Sequence, residues 1–170
     1  VEKNTPGLSF GNNEEKMGWK SQPTAQVIFD DCHVSSKKLL GEENKGFIYA
    51  MQGLDGGRLN IAAAALGGAQ TALNIAKKYI KERKAFGKSL SEFQGLQFKV
   101  ADMEIAINSS RTFLREAAWK LDNAKSDAGV YCAMAKKFVT DNSFNIANNS
   151  LQLLGAVSYT HLRAHETSEN

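Results

Sequence analysis

The segment Arg83-Lys84-Ala85-Phe86-Gly87 places a planar guanidinium, an aromatic ring and a glycine within five positions. A guanidinium can bind a phosphate through two parallel hydrogen bonds, and a ring can lie against a flat ligand. The segment therefore indicates a site for a nucleotide-bearing cofactor. The alternative is structural: Arg83 and Lys84 would satisfy the carbonyl groups of a helix C-terminus, and Gly87 would end the turn.

A second candidate cluster, Asp55-Gly56-Gly57-Arg58, lies upstream on a predicted helix. Arg58 falls within an apolar stripe, where it could extend its head group to water or pair with Glu104. The two glycines each cost roughly 1 kcal/mol of helix propensity. Such a cost indicates the close approach of a ligand or, more simply, of another helix.

The other reactive side chains form no recognisable catalytic or metal-binding set. Cys32 and Cys132 are far apart and lack metal-ligand spacing, so both are predicted to be small buried residues in a reducing compartment. His161 and His165 are four positions apart, as two ligands on a helix would be, but no third ligand accompanies them. No nucleophile motif accompanies His33. The sequence therefore predicts no metal site.

The chain that carries these clusters changes character near Gly46. Before that point, the two short runs Leu8–Gly11 and Gln26–Phe29 are typical of strands and are separated by turn-forming residues. After it, apolar residues recur every three or four positions, as on an amphipathic helix. We expect a β-domain to end at residue 45 and a helical domain to follow.

Three amphipathic helices with short links are predicted after Gly46, which favours a helical bundle whose first two helices are antiparallel. The first helix has a stripe of about nine turns, formed by Phe47, Met51, Leu54, Arg58, Ile61, Ala65, Ala69, Leu73, Ala76 and Ile80. The second is predicted to begin at the capping box Ser89-Leu90-Ser91-Glu92, and Ser126 is predicted to cap the third. The face of the third helix comprises Tyr131, Ala135, Phe138, Asn142, Ile146, Asn149 and Leu153.

The composition is that of an ordinary soluble protein. The chain has 170 residues, of which 42% are hydrophobic and 23% charged, and its formal net charge is +3. Basic residues cluster near the end of the first predicted helix, but no nucleic-acid motif interleaves them with aromatics. We therefore expect no nucleic-acid partner, and a small anionic ligand would account for the cluster as well. No apolar run approaches the length needed to cross a membrane.

In order and spacing, these motifs resemble the acyl-CoA dehydrogenase family from Val1 to about Gly155. The matching segments are Gly18-Trp19, Phe29-Asp30-Asp31-Cys32-His33-Val34, Leu39-Leu40-Gly41-Glu42, Gly46-Phe47, Leu54-Asp55-Gly56-Gly57-Arg58, Arg83-Lys84-Ala85-Phe86-Gly87, Ala101-Asp102-Met103 and Gln152-Leu153-Leu154-Gly155. Two further runs look closest to members of the family that oxidise isobutyryl-CoA. They are Thr5-Pro6-Gly7-Leu8-Ser9-Phe10 and Gly56-Gly57-Arg58-Leu59-Asn60-Ile61-Ala62.

The resemblance implies a mainly α chain, in which the end of a β-barrel-like middle domain precedes three helices of a C-terminal four-helix bundle. It implies FAD as cofactor, a homotetramer, an acyl-CoA substrate and an electron-transfer flavoprotein as electron acceptor. The reaction would be α,β-dehydrogenation of a short branched acyl-CoA in valine degradation. A carboxylate would remove the α-proton while the β-hydrogen leaves as hydride to the flavin. The compartment would be the mitochondrial matrix, or the cytoplasm in a bacterium.

The resemblance also assigns residues to the cofactor. Arg83 and Phe86 match positions that contact the FAD of a neighbouring subunit, and Gln94 matches a glutamine near the adenine end of that cofactor. Gln152 and Gly155 match the start of a Gln-x-x-Gly-Gly segment, whose backbone and amide groups meet the same FAD.

For the substrate, Asp55, Gly56, Gly57 and Arg58 match positions that contact the CoA portion. Gly57 also matches the place where a minority of the family, isovaleryl-type enzymes included, carries the catalytic glutamate. Because glycine cannot abstract a proton, this chain follows the majority, whose base lies between the last two helices of the bundle. No catalytic residue is therefore expected in this sequence.

From Ala156 the sequence departs from the family pattern. Ala156 replaces the second glycine of the Gln-x-x-Gly-Gly segment, which weakens the match there, and residues 156–170 resemble a translated sequencing-library adapter or a divergent natural C-terminus. Residues 46–155 would then be an incomplete bundle domain, and we expect the chain alone to have negligible activity and little affinity for FAD. Two other hypotheses stay open. One is a related enzyme, with another chain-length preference or with oxygen as acceptor, and the other is a non-catalytic helical interaction domain.

Overall fold

The computed structural model describes residues 1–155, which fall into two compact units. The first unit spans Val1–Tyr49 and the second begins at Ala50. The first unit therefore includes the start of the long helix and extends past the boundary expected at residue 45.

An antiparallel pair of strands organises the first unit. Strand β1 (Leu8–Asn13) pairs with β2 (Ala25–Phe29), and Leu8 lies opposite Phe29. Both strands predicted from the sequence are confirmed, and each is slightly longer than expected. No residue of this fully described unit is buried, because a single two-stranded hairpin is too small to enclose a core.

Helix α1 (Gly46–Glu82) begins where the helical periodicity predicted and carries the core of the second unit. Its buried residues are Ala62, Leu66, Ala69, Leu73, Ala76 and Ile80. The predicted stripe is thus correct from Ala69 to Ile80. It is wrong further upstream, where Met51, Leu54 and Ile61 are exposed.

A small β-hairpin follows α1, where a simple link was expected. Strand β3 (Lys84–Ala85) pairs with β4 (Lys88–Ser89) across a two-residue turn. The capping box at Ser89 is present, but it caps a short 3-10 turn at Leu90–Glu92. The second helix therefore begins at Gln94, five residues later than predicted.

Helix α2 (Gln94–Asp122) runs antiparallel to α1. Lys77 forms an ion pair of 2.6 Å with Glu104, and Arg111 donates a hydrogen bond of 2.8 Å to Gln70. Later residues of α1 thus pair with earlier residues of α2. By the same register, the end of α2 at Asp122 lies level with Leu59, so the part of α1 before Leu59 extends beyond α2 in this unit. This explains why Met51 and Leu54 are exposed. Ile61 is exposed because the buried face of α1 there passes through its neighbour Ala62 instead.

Helix α3 (Ala128–Leu153) returns antiparallel to α2. Asn142 donates a hydrogen bond of 3.2 Å to Ser110, and the hydroxyl of Ser150 lies 3.7 Å from the sulfur of Met103. Because α1 and α3 each run antiparallel to α2, they are parallel to each other. The expectation of a mainly α chain with three bundle helices is confirmed.

Two sequence predictions for α3 are wrong. Its N-cap is Asp127 rather than Ser126, and no side chain makes a cap hydrogen bond, because the Asp127 carboxylate instead pairs with Lys120 at 2.7 Å. The buried face is also displaced by one position along half of the helix. It consists of Ala128, Cys132, Ala135, Val139, Ser143, Ile146, Ser150 and Leu153. Five of these eight residues are Ala, Cys or Ser, whose small side chains allow α2 and α3 to approach closely along this face.

None of the helices in the described part of the chain combines the length and the apolar character needed to span a membrane.

Candidate functional site

Arg83 occupies a rigid position immediately after α1. Its amide donates a hydrogen bond of 2.8 Å to the carbonyl of Tyr79, and its carbonyl accepts one of 2.9 Å from the amide of Leu90. The residue itself is exposed. The backbone is therefore fixed on both sides while the guanidinium faces solvent, which suits a residue that binds an anion from outside.

Phe86 and Gly87 form the turn of the β3–β4 hairpin. Both have positive φ angles, of 52° and 83°, as a type I′ turn requires. The Phe86 side chain is 96% exposed. A positive φ is uncommon for an aromatic residue. An exposed ring also gains no stability from burial, so the stability of the fold does not explain why a phenylalanine occupies this turn position. The structural alternative, in which Gly87 ends the helical turn, is wrong, because α1 has already ended at Glu82.

Beside the turn lies a small apolar hollow of about 380 Å³. It is lined by Ala85, Phe86, Leu90, Phe93, Gly95 and Leu96. The rings of Phe86 and Phe93 meet edge to face at 6.5 Å, and the Lys88 ammonium lies 4.2 Å from the Phe93 ring centre. An aromatic ligand could therefore meet an apolar wall next to cationic groups. Lys88 belongs to the basic cluster noted in the sequence, but its place over the Phe93 ring was not predicted, because that contact depends on the hairpin.

The other three residues assigned to the cofactor lie at helix ends. Gln94 is the first residue of α2 and is exposed, and Gln152 is the exposed penultimate residue of α3. Gly155 follows α3 with a φ of 58°, and its amide donates a hydrogen bond of 3.1 Å to the carbonyl of Gln152. This left-handed conformation is the usual end of a helix at glycine.

The bundle brings all of these residues to one end. The end of α1, the start of α2 and the end of α3 lie together there, because neighbouring helices are antiparallel. The register of the interhelical pairs places Arg83 and Gly155 at the same level, and Gln94 begins α2 at the same end of the bundle. We call the five residues Arg83, Phe86, Gln94, Gln152 and Gly155 the hairpin end.

Asp55 and Arg58 lie together on α1 as an ion pair between Asp55 Oδ1 and Arg58 Nη1. Their side chains are 25% and 38% exposed, respectively. The alternative pairing of Arg58 with Glu104 does not occur, because Glu104 pairs with Lys77. An arginine that is part-buried and held by a carboxylate can still present donors to a ligand phosphate or carbonyl.

The two glycines between them are open on the outside of α1. A Cβ built at Gly56 or at Gly57 would meet no atom within 4 Å, other than those of its own helix and neighbouring residues. No other helix of the described unit therefore requires glycine there. A ligand that approaches this face of α1 is a remaining reason for the two glycines. Gly57 has no functional group, and it can take no part in proton transfer.

The first turn of α3 lies against the same ion pair. A Cβ built at Gly129 would lie 3.3 Å from Oδ2 of Asp55. One turn further on, burial raises the pKa of the Cys132 thiol, and the nearby Asp55 carboxylate raises it further. Gly129 was not predicted from the sequence, because its contact with Asp55 joins residues that are far apart in the chain. We call Asp55, Gly56, Gly57, Arg58 and Gly129 the pair end.

The two ends are far apart. Arg58 lies on α1 and Arg83 directly follows its last residue, so their separation of 25 residues corresponds to about 38 Å at 1.5 Å per residue. One small ligand cannot touch both.

The side chains at the hairpin end fit FAD. A guanidinium and amide groups are donors for a pyrophosphate, and an exposed ring beside an apolar hollow offers a surface for an aromatic system. All five residues are exposed in this chain. In the described part of the chain, no group of three His, Cys, Asp or Glu residues could hold a metal ion. His161 and His165 lie outside the described residues.

Comparison with known proteins gives a consistent result. Residues 44–168 match the family model described as acyl-CoA dehydrogenase, C-terminal domain. The chain is 50% identical over 159 residues to the mitochondrial isobutyryl-CoA dehydrogenase of Dictyostelium discoideum, covering 94% of this chain and 38% of that protein.

Solved structures show the same fold. The butyryl-CoA dehydrogenase of Megasphaera elsdenii superposes with a TM-score of 0.87 at 40% identity, covering 94% of this chain and 41% of that one. A chain from a structure described as the electron transferring flavoprotein of Acidaminococcus fermentans gives 0.86 at 44% identity, covering 94% and 42%. The chain thus spans about two fifths of the length of the relatives it matches.

Proposed function

The chain belongs to the acyl-CoA dehydrogenase family, and on that premise we propose that the complete protein is an FAD-dependent dehydrogenase of a short branched acyl-CoA such as isobutyryl-CoA. The identity of 50% to an isobutyryl-CoA dehydrogenase over 94% of the chain is the observation that carries the choice of substrate. We further propose the mitochondrial matrix as its compartment, or the cytoplasm if the source is a bacterium, with a role in valine degradation.

At the pair end, we assign Arg58 to the CoA portion of the substrate. A CoA thioester carries phosphates and amide carbonyls, which accept hydrogen bonds from a guanidinium. Asp55 fixes the direction of that guanidinium through their ion pair. The absence of side chains at Gly56 and Gly57 leaves the outer face of α1 open, so that a long flexible ligand could lie close to the backbone.

At the hairpin end, we assign Arg83, Phe86, Gln94, Gln152 and Gly155 to the FAD of a neighbouring subunit in a homotetramer. The separation of about 38 Å along α1 supports two sites per protomer, one for its own substrate and one for a neighbour's cofactor. When bound, FAD supplies a hydride acceptor for the β-hydrogen of the acyl chain. The carboxylate that removes the α-proton is not assigned to this chain, since Gly57 has no side chain to act as a base.

An electron-transfer flavoprotein is the electron acceptor that we propose. A chain similar to this one occurs in a structure described as an electron transferring flavoprotein, which supports this choice. The competing acceptor is oxygen, as in an oxidase on the same fold.

The proposal is tested with the complete protein, purified and assayed with isobutyryl-CoA, butyryl-CoA and longer thioesters. We expect a yellow protein with its highest kcat/KM on the branched substrate and with activity that depends on an added electron-transfer flavoprotein. A higher kcat/KM on a straight-chain thioester would contradict the branched substrate but not the family. A colourless protein that binds no added FAD and oxidises no acyl-CoA would contradict the proposal and favour a helical interaction domain.

Variants at the hairpin end test the cofactor assignment separately. R83Q removes a charge-assisted contact worth about 1.5–3 kcal/mol, so the affinity for FAD should fall by about 10- to 100-fold. The matched control is R115Q, which removes the charge of a different exposed arginine, one that lies on α2. Equal flavin content in both variants would contradict the assignment of Arg83.

A further inference from the structure

Gly129 leaves a space that the Asp55 carboxylate fills. Gly129 is the second residue of α3, and a Cβ at this position would lie 3.3 Å from Oδ2 and 3.7 Å from Oδ1 of Asp55. The shorter of these distances is tighter than side chains usually adopt, so an alanine would push the carboxylate away by a few tenths of an ångström. The glycine and the carboxylate are thus fitted to each other across two helices.

The start of α3 also attracts the carboxylate electrostatically. Its first turn contains no acidic residue, and the Asp127 N-cap makes no side-chain cap hydrogen bond because it pairs with Lys120. The Asp55 carboxylate, which comes from a different helix, therefore lies beside the positive end of the α3 dipole. The upward shift of the Cys132 pKa, caused first by burial and then by the Asp55 charge, agrees with this placement.

Asp55 is consequently held from two sides. The first turn of α3 lies on one side of its carboxylate, and the Arg58 guanidinium bonds to the other. We propose that Gly129 is a positioning residue of the acyl-CoA site, which acts through Asp55 to set the orientation of Arg58. This inference rests on the proposed function, since it assumes that Arg58 contacts the substrate.

A purely structural role for Gly129 makes the opposite prediction. Glycine within a helix costs up to about 1 kcal/mol relative to alanine, so an alanine that met no obstacle would stabilise α3 and leave catalysis unchanged. A positioning role predicts weaker substrate binding instead. A structural role therefore predicts a change in melting temperature, whereas a positioning role predicts a change in KM.

The experiment uses the complete protein with G129A and G129V, and measures KM and kcat for isobutyryl-CoA together with the melting temperature. We expect G129A to raise KM about 3-fold with little change in kcat, because a displaced carboxylate turns the Arg58 guanidinium and weakens a contact that binds substrate and transition state equally. G129V should raise KM further. The matched control is G67A, on the outer face of α1, where a Cβ meets no atom within 4 Å and KM should stay unchanged.

A double-mutant cycle with D55A isolates the route through the carboxylate. D55A alone should raise KM, and G129A should add nothing in that background, because no carboxylate is left to displace. Additive effects of D55A and G129A would overturn the inference, as would an unchanged KM in G129A. If G129V fails to fold, G129A still decides.

Failure of the inference is distinguishable from failure of the proposed function. An active dehydrogenase whose KM responds to R58Q but not to G129A contradicts the inference alone. An active enzyme with an unchanged KM in R58Q contradicts both the assignment of Arg58 and the inference. A complete protein without acyl-CoA oxidation contradicts the proposed function itself.

Discussion

At the scale of single residues, Phe86 shows how local strain can indicate function. A ring that is 96% exposed on a backbone with a positive φ contributes little to stability. The turn instead holds the ring at a fixed place beside Arg83. The cost of this arrangement is understandable if the ring is covered in the assembled protein, as the proposed contact with a neighbour's FAD requires.

The two cysteines provide a test of burial. Cys132 is completely buried and Cys32 is partly exposed, so the expectation that both are buried is wrong for Cys32. Burial raises the pKa of the Cys132 thiol, so less of the reactive thiolate forms. We expect Cys32 to react with an aromatic disulfide reagent at least about tenfold faster than Cys132 at pH 8.

The measurement compares C32A and C132A in native buffer. Unfolding in urea is the control, since it should make the two thiols react at similar rates. Equal rates in the native chain would show that Cys132 is accessible, contrary to its place in the core.

At the scale of elements, Ser89 joins two helices through the hairpin. Its hydroxyl donates to the carbonyl of Ile80 near the end of α1 at 2.9 Å, and it accepts from the amide of Ser91 at 3.3 Å. The capping box was visible in the sequence because it is local. The bond to Ile80 was not, since it depends on the chain reversal at Phe86.

We expect S89A to lower the free energy of unfolding by about 1 kcal/mol, as the loss of a cap usually does. Urea denaturation of the chain, followed by circular dichroism, measures the change. S109A serves as the control. The Ser109 hydroxyl donates to a carbonyl within its own helix and is exposed, so its loss should cost less than about 0.5 kcal/mol. Similar losses in the two variants would argue against a special role for Ser89.

The ion pair between Lys120 and Asp127 makes the α2–α3 connection sensitive to pH. The hydrogen bond from Lys120 lowers the pKa of Asp127, and the same bond raises the pKa of Lys120. The stabilisation is therefore present above the ordinary Asp pKa of about 3.9 and is lost as pH falls below it. It is also lost as pH rises past the ordinary Lys pKa of about 10.4.

D127N should consequently melt at a lower temperature than the wild-type chain at pH 7, and the difference should shrink as pH falls below about 3.9. D141N, in the exposed pair of Lys137 and Asp141, should show a smaller difference at pH 7. If the difference in melting temperature between D127N and the wild-type chain stays constant down to acid pH, the ion pair of Lys120 and Asp127 is not its cause.

At the scale of the whole molecule, the buried seam of three helices is the main source of stability. Ile107 is fully buried in the core cluster, while Ile105, two residues earlier on α2, is 67% exposed. We expect I107A to cost about 2–5 kcal/mol, since it removes transfer energy and leaves a cavity. I105A should stay within about 0.5 kcal/mol.

Thermal and urea denaturation of the chain measure both variants. Because the two substitutions are chemically identical and lie on the same helix, their difference reports burial alone. Equal costs would mean that the outer face of α2 is covered in solution.

The sequence by itself determined the features that are set within a few residues. The strands near Leu8 and Phe29, the start of α1, the apolar stripe from Ala69 to Ile80 and the capping box follow from periodicity and local hydrogen bonding. The motifs around Arg58 and Arg83 also indicated the family. Such features depend on contacts between near neighbours in the chain, which a linear pattern records.

Only the tertiary structure decided which residues meet. It turned Phe86 into the tip of a hairpin and placed Gly129 against Asp55. It moved part of the buried face of α3 by one position, for example from Tyr131 to Cys132. It also brought three helix ends together around Arg83 while it kept Arg58 about 38 Å away. These outcomes depend on the register and separation of packed helices, which are set by the fit of side chains from distant parts of the chain.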